Sequence, residues 1–257
     1  MAFLTAAGRR LEYQRIPGPT NRPVMVFLHE GLGSVAMWRD FPARCAERAG
    51  CAAVVYSRYG YGHSDPLDAP RGSDYLHHEA LVALPEILDQ LEIERPLLVG
   101  HSDGASISLI YAGAPIFAGG AKREVAGVIA LAPHVFVEAE AIRGIAATRQ
   151  AWEATTMREK LGRFHNHVDS VFAGWHEVWT AAEFQDWNIE EFLPGIQCPV
   201  LAVQGEQDEY GTMAQLDRIA RGAKQVRQLR LAECGHSPHR DQADKVLEAV
   251  REFTASL

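Results

Sequence analysis

Short apolar runs separated by segments of helical periodicity account for most of this chain. A β-hairpin is predicted over residues 3–6 and 9–16, with its turn near Gly8. Strands that alternate with helices predict an α/β fold with a mostly parallel, doubly wound sheet, covered by helices on both faces. The further strands, most of them continuous apolar runs, are predicted over residues 24–29, 52–57, 96–100, 125–132, 199–205 and 225–232. The helices are predicted over residues 76–91, 105–114, 213–223 and 241–253.

One segment, residues 134–195, breaks this alternation. It contains no strand pattern and holds four of the five tryptophans. We therefore predict a helical cap at 134–195, inserted between two parts of one α/β core at 1–133 and 196–257. We expect some of its aromatic side chains to pack the cap onto the core and others to line an apolar pocket. The aromatic residues concerned are Trp152, Phe164, Phe172, Trp175, Trp179, Phe184 and Trp187.

Composition narrows the classes of partner. The chain of 257 residues carries a net charge of −8 and contains no run of lysine or arginine, so we expect no nucleic-acid partner. No apolar stretch approaches the ~20 residues of a membrane-spanning helix, and no signal peptide pattern precedes the first strand. We therefore expect no membrane partner and a cytoplasmic location. The cysteines lack CxxC spacing and are expected to be reduced and buried; they are Cys45, Cys51, Cys198 and Cys234.

Residue spacing argues against two classes of cofactor. The eleven histidines include the adjacent pair His77 and His78 and the pair His165 and His167, but neither pair shares a helical face and no HExxH motif occurs. A G-x-G-x-x-A pattern at residues 31–36 follows a strand and fits the dinucleotide fingerprint. However, a proline falls inside the helix that should follow, and no acidic residue ends the second strand. We expect no metal and no other cofactor.

Residues 100–104, with the sequence GHSDG, carry the most informative chemical signal. They fit G-x-S-x-G between a predicted strand and a predicted helix, where flanking glycines allow a sharp turn that exposes the serine hydroxyl. Ser102 would then stand at a helix N-terminus, where free N–H groups favour negative charge. The letters GHSD recur at 62–65, but a proline follows them and no helix does, so Ser64 is predicted to be a loop serine. We predict that Ser102 is a nucleophile.

A serine nucleophile needs a base, and the base needs an orienting carboxylate. Asp208 and His236 each follow a predicted strand, and functional residues of α/β sheets collect beyond the carboxyl ends of the strands. Glu206 and Glu209 flank Asp208 and are alternatives to it. His239 is an alternative to His236, but it falls inside a helix that the preceding Ser-Pro pair should start. We favour Asp208 and His236.

The order Ser102, Asp208, His236 resembles that of the α/β-hydrolase superfamily, and the resemblance extends over essentially the whole chain. Within that superfamily, the G-x-S-D-G elbow and the position of the cap look most like the valacyclovir-hydrolase-like and meta-cleavage-product-hydrolase-like serine esterases. The other motifs that carry the resemblance are an oxyanion segment, FLHEGLGS, at 27–34, a G-x-G-x-S-D loop at 60–65, a G-x-x-D acid motif at 205–208 and a Gly-His base motif at 235–236.

The resemblance implies an α/β-hydrolase fold and a reaction. Ser102 would attack a carbonyl, His236 would take its proton, and Asp208 would orient the imidazole. We expect cleavage of a small carboxylic ester through an acyl-enzyme. A C–C bond hydrolase, a thioesterase and a lactonase would use the same residues and remain alternatives, as does a lyase or a small-molecule receptor on the same fold. The oligomeric state is not indicated.

The resemblance also suggests residues around the nucleophile. The N–H of Asp103, with that of Gly31 or Leu32, would hold the oxyanion. Glu30 stands where the family usually has glycine, so its carboxylate would repel an oxyanion unless it points away. Glu30, Asp103 and His134 are candidates for substrate contact. Asp103 either binds a cationic substrate group or is a solvated or N-terminal helix carboxylate. His134 either faces the pocket or is a hydrogen-bonded structural histidine.

Overall fold

The computed structural model describes residues 2–115 and 123–257. Its eight strands are β1 (Ala2–Ala6), β2 (Arg9–Ile16), β3 (Val24–Leu28), β4 (Ala53–Tyr56), β5 (Pro96–His101), β6 (Gly127–Leu131), β7 (Val200–Gly205) and β8 (Val226–Leu231). They form one sheet in the order β1-β2-β4-β3-β5-β6-β7-β8. β2 pairs antiparallel with β1 and β4, and the remaining pairs are parallel. The predicted fold class is confirmed, and each strand lies within two residues of its predicted bounds.

Helices lie between the strands, as predicted. The helix predicted over 76–91 is found in three parts, because a π-helical turn at Glu79–Ala83 separates its two α-helical ends. Short 3₁₀ turns occur at Val35–Trp38, Ala182–Phe184 and Glu190–Gly195. The α-helices are α1 (Phe41–Ala49), α2 (Tyr75–His78), α3 (Leu84–Gln90), α4 (Asp103–Gly113), α5 (Ala139–Ala154), α6 (Met157–Leu161), α7 (Val168–Thr180), α8 (Ala214–Gly222), α9 (Pro238–Asp241) and α10 (Ala243–Thr254).

The two faces of the sheet carry two hydrophobic cores. In β3, Val26 and Leu28 pack into the core that contains α4, while Met25 and Phe27 pack into the core that contains α1 and α10. This alternation follows from the two-residue period of a strand, and burial of both faces explains the continuous apolar runs. β8 is an exception to the predicted burial, because it lies at the edge of the sheet and most of its side chains are partly or fully exposed.

Residues 134–195 contain α5, α6, α7 and two of the 3₁₀ turns, and an isolated bridge pairs Phe136 with Asn188 near the two ends of the range. Some of the aromatic residues pack within this segment. Trp152 stacks on Phe172 with ring centroids 4.1 Å apart, and Phe184 stacks on Trp187 at 5.4 Å. The bounds 1–133, 134–195 and 196–257 stay a prediction.

Two expectations from composition concern the whole chain. Three cysteines, Cys45, Cys51 and Cys234, are buried as expected, whereas Cys198 is only half-buried. None of the helices within residues 2–115 and 123–257 is long and apolar enough to cross a bilayer.

Candidate active site

Ser102 occupies a tight turn between β5 and α4. Its backbone has φ 52° and ψ −116°, a conformation that is unfavourable for a residue with a side chain. A Cβ atom on Gly100 would overlap the carbonyl of Gly104, and one on Gly104 would overlap the carbonyl of Leu28. The chain can cross itself this closely only because both residues are glycines. The G-x-S-x-G spacing therefore has a steric cause, and the turn places Ser102 at the N-terminus of α4.

His236 and Asp208 form a hydrogen-bonded pair beyond the ends of β8 and β7. Nδ1 of His236 lies 2.8 Å from Oδ1 and 2.9 Å from Oδ2 of Asp208. The Asp208 side chain is fully buried. Its carboxylate also accepts the N–H of Tyr210 at 2.8 Å and the side-chain amide of Gln204 at 2.8 Å. These donors hold the carboxylate in one orientation, and the carboxylate in turn holds the imidazole.

The electrostatics of this pair favour the ionised forms. Burial by itself would raise the pKa of Asp208, but His236 and the hydrogen bonds outweigh it, so that pKa lies below the ordinary 3.8. Burial by itself would lower the pKa of His236, but the neighbouring Asp208 raises it above the ordinary 6.5. The pair therefore stabilises the imidazolium, which is the form that a general base adopts after it accepts a proton.

Ser102 and His236 line one cavity of about 260 Å³. Ser102 is 7% exposed. Within residues 2–115 and 123–257, no hydrogen bond joins its hydroxyl to His236, and such bonds are often long before substrate binds. Apolar side chains from residues 134–195 form one wall of the cavity, and these are Ile145, Leu161, Trp175 and Trp179. A larger groove of about 580 Å³ beside α7 contains neither Ser102 nor His236, so chemistry rather than volume identifies the candidate site.

Two backbone N–H groups are expected to hold the oxyanion, that of Asp103 and that of Gly31 or Leu32. Gly31 and Leu32 line the cavity, and a Cβ on Gly31 would overlap the indole ring of Trp175. Asp103 is the first residue of α4, where N–H groups have no acceptor within the helix. The positions of these residues are compatible with the expected oxyanion hole, which stays a prediction.

The carboxylate of Glu30 lies beside an imidazole and a guanidinium. It lies 3.4 Å from Nδ1 of His101 and 3.7 Å from the guanidinium of Arg240. Burial would raise the pKa of Glu30, but these two groups lower it well below the ordinary 4.5. Nε2 of His101 lies 2.7 Å from the carbonyl oxygen of His236. The expected repulsion of an oxyanion by Glu30 is therefore reduced. Glu30 lines the cavity, and its contact with substrate stays a prediction.

The position of Asp103 decides between the interpretations of its side chain. The residue is the first of α4, as expected for an N-terminal helix carboxylate, but it is 0% exposed and therefore not solvated. Its Oδ2 accepts hydrogen bonds from the guanidinium of Arg58 at 3.1 Å and from the hydroxyl of Tyr75 at 2.8 Å. Its side chain does not reach the cavity that contains Ser102. A cationic substrate group has no access to Asp103, because Arg58 already supplies the opposite charge.

His134 lines the cavity and is 2% exposed. Its ring meets Trp179 edge-on with centroids 5.1 Å apart. Nδ1 has no hydrogen-bond partner in the described part of the chain, which does not support a hydrogen-bonded structural role at that atom. Burial, and then the nearby His236, lower the pKa of His134 to about 4, so the ring is neutral at pH 7.

The alternative residues do not take the places of Asp208, His236 and Ser102. His239 is inside α9 as predicted, buried against the ring of Trp38 at a centroid distance of 5.0 Å, and His236 rather than His239 is bonded to Asp208. Glu206 and Glu209 are exposed, and Glu209 lines the cavity, but the carboxylate bonded to His236 is that of Asp208. The hydroxyl of Ser64 donates to a backbone carbonyl at 2.6 Å, which is a structural role.

Several residues of this region were not found from the sequence. Arg58, Tyr75 and His101 contact partners that are distant in the chain, and their side chains give no local signal. Gln204 could have been found from the sequence, because it is the polar residue within the otherwise apolar run of β7. A buried polar residue in a strand requires a partner, and here that partner is Asp208.

Two observations concern the histidines and the glycine pattern noted in the sequence. In the part of the chain that the structure describes, no group of three or more histidine, cysteine, aspartate or glutamate residues is placed to hold a metal ion. The glycine pattern at 31–36 leads into the 3₁₀ turn Val35–Trp38 rather than into the long helix of a dinucleotide site.

Comparison with known proteins agrees with this fold. A family model described as "Alpha/beta hydrolase family" matches residues 25–249, so the chain belongs to that family of hydrolases. The human protein named "Serine hydrolase BPHL" is 28% identical over 208 residues, which cover 78% of this chain and 68% of that relative.

Two solved structures share the fold at low sequence identity. The esterase EaEST from Exiguobacterium antarcticum superimposes with a TM-score of 0.76 at 20% identity, covering 98% of both chains. A meta-cleavage product hydrolase from Pseudomonas fluorescens IP01 superimposes with a TM-score of 0.72 at 16% identity, covering 100% of this chain and 98% of the other.

Proposed function

We propose that this protein is a serine hydrolase that cleaves a small carboxylic ester through an acyl-enzyme. One observation carries the proposal. Ser102 stands on a strained turn and lines the same cavity as His236, whose other ring nitrogen is bonded to the buried Asp208. A nucleophile, a base and an orienting carboxylate in this arrangement are the parts of a catalytic triad. The names of the human relative and of the Exiguobacterium esterase support the same reaction class.

The proposed reaction has two halves. The Ser102 hydroxyl oxygen attacks the carbonyl carbon of the ester while its proton passes to Nε2 of His236. Asp208 stabilises the imidazolium, and the N–H groups of Asp103 and Gly31 hold the oxyanion. His236 then gives the proton to the departing alcohol, which leaves the acyl group on Ser102. A water molecule attacks this acyl-enzyme and loses a proton to His236, and the proton returns to Ser102 as the acid leaves.

The cavity suggests the size and polarity of the substrate. At about 260 Å³ it lies near the lower end of ligand cavities, which range from about 300 to 1,000 Å³. One wall is apolar, so each buried methylene should contribute about 0.8 kcal/mol, or roughly fourfold in kcat/KM, until the cavity is full. His134 and Glu30 are the polar side chains that we propose contact the substrate. Compact aromatic or medium-chain esters should therefore react faster than acetate esters.

Labelling tests the nucleophile. An organophosphonate should form an adduct on the peptide that contains Ser102, as detected by mass spectrometry. Ser102→Ala should abolish the adduct and leave ester turnover only about 10³–10⁴ above that in water. Ser64→Ala is the matched control, because Ser64 lies in the second copy of the GHSD sequence, at 62–65. This variant should still be labelled on Ser102. An adduct on Ser64 in the wild-type protein would contradict the proposal.

A substrate panel tests the bond that is cleaved. p-Nitrophenyl esters, acyl-CoA thioesters, lactones and vinylogous diketones should be assayed with the wild type and with Ser102→Ala. We expect the highest kcat/KM with an ester. A higher value for one of the other classes, also lost in the variant, would keep Ser102 as the nucleophile but replace the substrate class. Tight binding of a small molecule without any turnover would favour a receptor instead.

A further inference from the structure

Arg58 is fully buried behind the candidate oxyanion site. One nitrogen of its guanidinium donates to the carbonyl oxygen of Glu30 at 3.0 Å and to Oδ2 of Asp103 at 3.1 Å. Both side chains of the Arg58–Asp103 ion pair are 0% exposed. Glu30 and Asp103 belong to two different segments, one after β3 and one after β5. These are the two segments from which the oxyanion donors are expected, so a single cation connects them.

The contact with Glu30 acts on the neighbouring N–H group. The peptide unit between Glu30 and Gly31 is planar, and its C=O and N–H point in opposite directions. Besides Arg58, the Glu30 oxygen faces Nδ1 of His29 at 2.7 Å and accepts the N–H of Gly33 at 3.0 Å. Groups that fix this carbonyl also fix the direction of the Gly31 N–H. The positive charge further polarises the peptide, which makes that N–H a better donor.

The contact with Asp103 acts on the second donor. Its carboxylate is held by Arg58 on one side and by the hydroxyl of Tyr75 on the other. Trp179, which lines the cavity, donates from Nε1 to the Tyr75 hydroxyl at 2.9 Å. A side chain restrained by these bonds restrains its own backbone, including the N–H of Asp103 at the start of α4.

We propose that Arg58 is a positioning residue for ester hydrolysis, which holds the N–H groups of Gly31 and Asp103 at the spacing that the oxyanion requires. This inference rests on the proposed function. The competing explanation is that Arg58 only neutralises the buried charge of Asp103. The two explanations predict different kinetic effects. Misplaced oxyanion donors reduce the stabilisation of the transition state and leave substrate binding unchanged, whereas charge compensation alone affects neither.

Two variants separate these explanations. Arg58→Met combined with Asp103→Asn removes both charges of the ion pair together, so neither of these two partners is left as an unpaired charge. Arg58→Lys keeps the charge but loses the planar guanidinium. For each we expect kcat on a p-nitrophenyl ester to fall roughly 10- to 100-fold, which is less than the roughly 10²–10³-fold cost of deleting a donor, with KM within about twofold. Affinity for a trifluoromethyl ketone, whose serine adduct carries an oxyanion, should fall by the same factor as kcat.

Controls exclude a general loss of stability. Val250→Ala, in the buried face of α10, should lower Tm and leave kcat unchanged. Wild-type kcat and ketone affinity in a folded double variant would show that Arg58 only compensates charge and would overturn the inference. If the double variant does not fold, the same readouts on Arg58→Lys decide the question. Ester turnover that survives the substitution Ser102→Ala would instead refute the proposed function, which is a separate outcome.

Discussion

The replacement of Asp208 by asparagine removes one charge and keeps the size of the side chain. The carboxylate accepts hydrogen bonds from three groups, which are Nδ1 of His236, the N–H of Tyr210 and the amide of Gln204. An asparagine has one acceptor oxygen, and its NH₂ group is a donor. In either orientation the NH₂ group faces a donor. A flip of the Gln204 amide would not relieve this donor–donor contact without cost, because the same amide nitrogen also donates to the carbonyl of Gly211 at 3.1 Å.

The expected loss of activity follows from these contacts. If the NH₂ group faces His236, the imidazole must carry its proton on Nε2 and cannot accept the proton of Ser102. If the oxygen faces His236, the tautomer is kept but the charge that stabilises the imidazolium is lost. Serine proteases with this triad lose about 10⁴ in kcat on the same change. We expect kcat to fall about 10³–10⁴-fold, or roughly 4–5 kcal/mol, with little change in KM.

Steady-state kinetics on a p-nitrophenyl ester measure this loss, and a thermal melt checks that the variant is folded. Glu206→Gln is the matched control, since Glu206 is an exposed carboxylate two residues before Asp208 that does not line the cavity, and the variant should keep nearly full activity. A folded Asp208→Asn variant that keeps more than about a tenth of the wild-type kcat would refute the assignment of Asp208. So would a large loss in Glu206→Gln with Asp208→Asn unaffected.

Three other predictions follow from the same site. The value of kcat/KM should fall as the pH drops through the pKa of His236, because only the neutral imidazole can accept the proton of Ser102. Asp208 raises that pKa, so the half-maximal point should lie above 6.5 and should move to lower pH in Asp208→Asn; a midpoint below 6.5 in the wild type would contradict this. Trp175→Ala should flatten the dependence of kcat/KM on acyl length, because Trp175 lines the cavity. Trp152→Ala should only lower Tm, because Trp152 stacks on Phe172, and an equal length dependence in both variants would contradict the assignment. Gly104→Ala should destabilise the fold by about 1–3 kcal/mol or more in urea unfolding, because its Cβ would overlap a backbone carbonyl, and an unchanged midpoint would argue against the tight crossing at the elbow.

Much of the fold was predictable because its signals are local. A strand that is buried on both faces must be apolar throughout, so β3, β5 and β7 stand out as continuous runs. The elbow was predictable in part for the same reason, since Gly100 is required by its contact with Gly104 four residues later. Gly104 is instead required by its close approach to the carbonyl of Leu28 in β3, which is distant in the chain. The exposure of β8 was not predictable, because a strand becomes an edge only through its place in the sheet.

The charges around the site depend on contacts between distant residues. The sequence places Asp103 beside the nucleophile but does not reveal that Arg58, 45 residues earlier, neutralises it. Glu30 looks unfavourable beside an oxyanion until His101 and Arg240 are found next to it. The strand order β4-β3-β5 explains why Arg58 meets Asp103 and why Glu30 meets His101, because it aligns the carboxyl ends of three strands at one edge of the sheet. Arg240 comes from α9, which follows β8. The motifs by themselves determined the type of chemistry, and only the packing of these strands decided which charges are compensated and which face the cavity.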